Sequence, residues 1–118
     1  MLYFSPMPSS IAPFEKHVFV CTSGTRCPTG EPDSRLVHAR LKELVKQAGL
    51  GVRIRINNSG CLDQCGNGPM IAVYPENVWY CRVAVEDAEA IFTEHLVGGR
   101  PVERLRYRPL QPGPTKLP

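Results

Sequence analysis

Five cysteines, Cys21, Cys27, Cys61, Cys65 and Cys81, are the residues of this 118-residue chain best suited to chemistry. Five residues separate Cys21 from Cys27 and three separate Cys61 from Cys65, with thirty-three between the two pairs. An odd number cannot pair fully into disulfides within one chain. The first thirteen residues, MLYFSPMPSSIAP, also lack the basic and apolar regions of an export signal, so a cytoplasmic, reducing setting is expected. There, four clustered thiols and one spare read as a metal site. Four thiolates form a soft tetrahedral donor set that suits zinc or the irons of a sulfide-bridged cluster. Thiol-disulfide exchange is disfavoured, because no Cys-x-x-Cys occurs anywhere in the chain.

Two features lean away from structural zinc, although a zinc-stabilised interaction module on the same four cysteines stays open as the alternative. Zinc knuckles usually place paired cysteines two to four residues apart, whereas the Thr-, Ser- and Gly-containing spacer after Cys21 makes a wider loop. The chain also carries enough apolar residues to bury a core without metal. A cluster needs chelating loops with backbone N–H donors close by, which Gly60, Gly66 and Gly68 permit, and a helix start after Cys27 adds partial positive charge.

The elements that must position these thiols follow from periodicity. His17-Val-Phe-Val-Cys21 reads as a strand running into a loop, Thr22–Pro32, rich in turn formers. Pro32, Asp33 and Ser34 open a helix whose apolar positions Val37, Leu41, Leu44, Val45 and Ala48 recur until Gly49. Val52-Arg-Ile-Arg-Ile56 alternates strictly, predicting a strand with Val52, Ile54 and Ile56 on its buried face. A second loop, Asn57–Pro69, precedes a hairpin of Met70–Tyr74 and Val78–Val83. A final helix carries Ala88, Ile91, Phe92 and Leu96, opens on Glu86, Asp87 and Glu89, and closes at Gly98-Gly99. The order βαβ followed by ββα requires a mixed sheet with helices packed on it, thioredoxin-like in outline and α/β in class. In such a sheet the two parallel strands end at one edge, so the loops bearing Cys21 and Cys27 and bearing Cys61 and Cys65 emerge together.

Other residues have simpler explanations. Cys81 is read as a packed strand residue sharing a face with Trp79 and Val83. Arg26 is an exposed loop cation, and Trp79 and Tyr80 are core or interface rings. His17, His38 and His95 show no ligand spacing, and a helix dipole accounts for His95.

Length and composition bound the rest. No run approaches the roughly 18 apolar residues of a membrane span, and ten glycines with twelve prolines fall short of a low-complexity chain. The prolines crowd the ends, which divides the chain into an extended segment 1–13, a folded domain 14–105 and a Pro-rich basic tail 106–118. From residue 100 onward five cations face one acid, so the net +3 leaves residues 1–99 at −1, and nucleic-acid binding is not expected. The tail is read as a solvated extension, or functionally as a docking arm for an acidic partner.

The segments His17-Val-Phe-Val-Cys21, Gly60-Cys-Leu-Asp-Gln-Cys65, Gly68-Pro69, Val73-Tyr-Pro75, Val78-Trp-Tyr80, His95-Leu96 with Gly98-Gly99, and Pro101-Val-Glu-Arg-Leu105 resemble the thioredoxin-like 2Fe-2S ferredoxins of bacteria over nearly all of residues 16–105. The chain is more distantly similar to the cluster-bearing small subunit of respiratory NADH dehydrogenase. The resemblance implies a soluble one-electron carrier, not an enzyme, usually a homodimer. It also implies a 2Fe-2S cluster on Cys21, Cys27, Cys61 and Cys65, with a reductase and an electron acceptor as partners. The chain departs from the family in its short first spacer and in Cys81, which stands where the family pattern has glycine.

Overall fold

Alternation of apolar and polar residues builds the centre of the molecule. The computed structural model describes residues 13–22, 33–60, 62 and 68–113. Strand β1, Lys16–Cys21, turns Val18 and Val20 into the core and His17 and Phe19 to the opposite face. Strand β2, Ile54–Ser59, lies parallel to it in the register Lys16↔Ile54 through Cys21↔Ser59. Strands β3, Ile71–Tyr74, and β4, Val78–Tyr80, form the hairpin, and β3 runs antiparallel to β1. The sheet order is β2-β1-β3-β4, which is the mixed sheet expected from the element order.

Helix α1, Asp33–Gln47, connects the parallel strands and buries Val37, Leu41 and Val45 at four-residue intervals against them. Each such burial stabilises by about 1.5–3 kcal/mol. The helix stops in a Schellman motif: the Leu50 N–H donates to the Val45 carbonyl at 3.0 Å and the Gly49 N–H to that of Lys46 at 3.0 Å. Gly49 takes φ 72°, the left-handed conformation this turn demands.

The second strand differs from the sequence reading at both ends. Val52 is 81% exposed and lies in the turn before β2, not on its buried face. The Leu50 carbonyl accepts both the Arg53 and the Ile54 N–H at 2.9 Å, so the chain is still turning at Val52. At the far end, Asn57, Asn58 and Ser59, expected in a loop, extend the strand because Phe19, Val20 and Cys21 offer them partners. Pairing overrides their turn preference.

The hairpin strand also ends early. Strand β4 stops at Tyr80, and Arg82 adopts φ 52°, so Cys81 does not continue an alternation through Val83. The C-terminal chain lies along this edge instead: the Cys81 N–H donates to the Leu105 carbonyl at 3.0 Å, the Tyr107 N–H to that of Trp79 at 2.7 Å, and Arg106 bridges Tyr80.

The last helix begins as helix α2, Asp87–Ala90, with the Asp87 carboxylate accepting the Ala84 N–H at 2.9 Å. It then widens into a π-helical stretch, Ile91–Val97, where a regular α-helix was expected. Wide winding is explicit at the end, where the Gly98 N–H reaches back to Thr93 at 3.1 Å. Gly98 is required there, since a Cβ would sit 2.6 Å from the Glu94 carbonyl oxygen. A 3-10 turn, Glu103–Leu105, leads into the edge segment.

Candidate metal centre at the parallel-strand edge

The parallel register brings two chain exits together. Cys21 is the last residue of β1, 7% exposed with a free thiol, and its N–H donates to the Met70 carbonyl at 3.1 Å. Thr22 donates to the Ser59 carbonyl through its N–H at 3.2 Å and its hydroxyl at 3.3 Å. The Ser59 hydroxyl lies 2.9 Å from the Gly60 carbonyl oxygen and 3.4 Å from that of Val20. The chain leaving Cys21 and the chain leaving Ser59, two residues before Cys61, are therefore tied to one another. Cys27, Cys61 and Cys65 lie outside the described residues, as do Arg26 and Gly66. Among the described residues no group of three or more metal-ligating side chains comes together.

A buried donor fits a sulfur-rich group at this edge. Ser34 is fully buried near the start of α1, and its hydroxyl has no hydrogen-bond partner. A helix returning from a strand begins at that strand's carboxyl end, and helical side chains lean toward the helix N-terminus, so Ser34 belongs to the cysteine edge. A thiolate sulfur is an acceptor for such a hydroxyl. Periodicity marked Ser34 only as a helix start; its missing partner is visible only in three dimensions.

Cys81 stands in the same row, since Val20, Ile71 and Tyr80 align across β1, β3 and β4. It is two strands from Cys21, roughly 10 Å by ordinary strand spacing. Its thiol is free and half-buried, and burial pushes its pKa up against the opposing Arg82 charge. A protonated, packed thiol agrees with a residue outside the donor set. Tyr80 is a core ring and Trp79 is half-buried on the opposite face of the sheet.

A helix dipole does not account for His95. The ring is 0% exposed and joins a polar chain through the core. The Val102 N–H donates to the Tyr80 hydroxyl at 3.0 Å, which lies 2.6 Å from His95 Nδ1. His95 Nε2 is 3.0 Å from Glu76 Oε2, and that oxygen also accepts Lys16 Nζ at 2.6 Å. Every position is satisfied when His95 is neutral with its proton on Nε2 and Tyr80 donates to Nδ1. Burial, opposed by the Glu76 carboxylate, holds the His95 pKa below its ordinary value. No local spacing reveals this network, because its members come from β1, the hairpin and the π-helical stretch.

A mixed sheet whose two parallel strands end side by side at Cys21 and at the start of the Cys61 loop defines a thioredoxin-like domain with a thiol-bearing edge. No protein-family model matches the chain. It is 37% identical over 98 residues to a 2Fe-2S ferredoxin of Aquifex aeolicus, covering 76% of this chain and 86% of that one. A 2Fe-2S ferredoxin of Clostridium pasteurianum is 33% identical over 98 residues, covering 76% and 93%. The crystal structure of the wild-type thioredoxin-like [2Fe-2S] ferredoxin from Aquifex aeolicus superposes with a TM-score of 0.70 at 39% identity, over 83% of this chain and all of that one. Another structure of a ferredoxin so named from that organism gives 0.72 at 38% identity, over 88% and 98%. The chain belongs to the thioredoxin-like 2Fe-2S ferredoxins, electron-transfer proteins and not enzymes. The zinc-module alternative finds no support among these relatives.

Proposed function

We propose that this ferredoxin carries one electron at a time between protein partners, a reductase and an acceptor, using a 2Fe-2S cluster bound through Cys21, Cys27, Cys61 and Cys65. The observation that carries this reading is the pairing of Cys21 with Ser59, which starts both cysteine-bearing loops from one point. When bound, the cluster supplies a one-electron ferric–ferrous change near a protein surface. The chain's own contribution is to hold four thiolates, to offer them donors such as the Ser34 hydroxyl, and to keep the edge rigid through Thr22, Ser59 and Met70.

The working unit is a homodimer in the cytoplasm, built on a domain spanning residues 14–105 with short extensions at each end. No helix among the described residues is long and apolar enough to cross a membrane. Anaerobic preparation from an iron-replete host should give a red-brown protein with equal iron and acid-labile sulfide and a paramagnetic signal after one-electron reduction. A colourless protein holding one zinc per chain would overturn the assignment. Sedimentation of the same sample reads the dimer.

A further inference from the structure

The positive charge of this chain is unevenly neutralised among the described residues. Arg106 and Arg108 pair with Glu103 at 3.1 and 2.7 Å, and Arg104 pairs with Asp87 at 3.0 Å. Arg106 and Arg108 thus share one carboxylate, and Arg104 is held on the last helix.

A compact group of uncompensated charge lies between the C-terminal half of α1 and β2, one of the two edge strands of the sheet. A groove of about 340 Å³ runs there. Its floor is apolar, with Val45, Ile54 and Ile56, and Val52 projects at its end. Its rim carries Lys42, Lys46 and Arg55, and among the described residues no carboxylate lines it. None of the three has a carboxylate partner among the described residues; Arg55 donates only to the Asn57 side chain, at 2.9 Å. The carboxylate next to them on α1, Glu43, is held by Arg40 at 2.7 Å. The cationic field is also felt by His38, whose pKa is lowered by burial and then by Lys42 and Arg55.

We propose that this groove docks an acidic, partly apolar segment of a redox-partner protein. The proposal rests on the electron-carrier reading and names the chemistry of that partner. Three cations around an apolar strip match carboxylates alternating with aliphatic side chains. An electron carrier must also release each partner quickly, which favours a shallow, charge-steered contact over a large apolar one. The groove and the thiol edge lie at opposite ends of β2, about 17 Å apart at 3.3 Å per residue from Ile54 to Ser59. A partner anchored here would have to extend along β2 to reach the thiol edge.

The test uses the cluster-loaded protein and a fluorescein-labelled ten-residue peptide of alternating glutamate and leucine, titrated by anisotropy at low salt. Binding should weaken at least tenfold in Lys42→Glu/Lys46→Glu, change less than twofold in Arg104→Glu/Arg108→Glu, and weaken with added salt. A lysine–leucine peptide should not bind. Equal losses in both double variants, an unaffected groove variant, or equal binding of the lysine peptide would overturn the proposal. So would a change in sedimentation caused by Lys42→Glu/Lys46→Glu, which would make the groove a contact between copies. Should that variant fold poorly, Val52→Asp at the exposed turn probes the same groove and should also weaken binding, and an unchanged affinity there counts against it. Visible absorption and iron content are read in parallel: a coloured protein that ignores the peptide sinks the docking groove alone, and an uncoloured one sinks the carrier reading.

Discussion

Cys21 and Cys81 end up at one edge of the sheet in different surroundings, and the proposed donor set takes only the first. Cys21 closes β1 beside the exit to Cys61, whereas Cys81 is packed beside Tyr107 with its thiol held protonated by burial. Cys81→Ala should therefore leave iron and acid-labile sulfide per chain unchanged, while Cys21→Ala should lower both; metal analysis of the two variants checks this. Ser34 makes a second residue-level prediction. A buried hydroxyl without a partner costs about 1–3 kcal/mol, so Ser34→Ala should leave the melting temperature of the metal-free chain equal or higher. In the loaded protein the same change removes a donor to sulfur and should lower the reduction potential measured by redox titration. A Ser34 that merely caps the helix would instead lose stability with no change in potential.

Among the elements, those with strong periodicity were legible and those shaped by distant partners were not. Helix α1 and its Gly49 stop follow from four-residue apolar spacing, and strand β1 from its run of β-branched and aromatic residues. The run Asn57–Ser59 became strand only because β1 offered a parallel neighbour, and Val52 left the strand because the Leu50 carbonyl captured the turn. The π-helical winding and the buried role of His95 carry no local sign, since they arise where hairpin, helix and C-terminal chain meet. That meeting point sets a pH window. The folded-state pKa of His95 lies below its ordinary value near 6.5, so its contribution is complete above that value and is lost as pH falls through the window beneath it. Glu76, whose burial is outweighed by Lys16 and its own backbone, is also held low, and its contribution fades below about 4.5. Burial raises the Tyr80 pKa, so its contribution is complete below about 10 and lost above it. Thermal melts should show a plateau between about 6.5 and 9, above which the half-buried Cys81 thiol and then Tyr80 lose their contributions. His95→Gln should flatten part of the limb just below 6.5, the rest belonging to His38. An unaltered acid limb in that variant would remove His95 from the account.

For the whole molecule, the C-terminal edge segment decides where the folded unit stops. The hydrogen bond from Tyr107 to Trp79 and the pairs between Glu103 and both Arg106 and Arg108 all depend on residues after Leu105. A chain ending at Leu105 should melt below one ending at Arg108 by an amount corresponding to about 1–3 kcal/mol. Equal melting would show that the edge segment adds nothing. The part of the site that the structure describes, the paired strand ends at Cys21 and Ser59, was legible because element order required two parallel strands ending at one edge. The orphaned Ser34 hydroxyl and the cationic groove were not, because each is defined by what fails to pair in space.

The alternation of Ile54 and Ile56 with Arg55 has a last consequence. Sliding β2 by one residue against β1 would drive a guanidinium into the apolar interior and expose both isoleucines, so the alignment is locked by water's exclusion. An unloaded chain is therefore expected to keep this strand alignment, and a cell short of iron would then store a folded vessel instead of clearing an unfolded one.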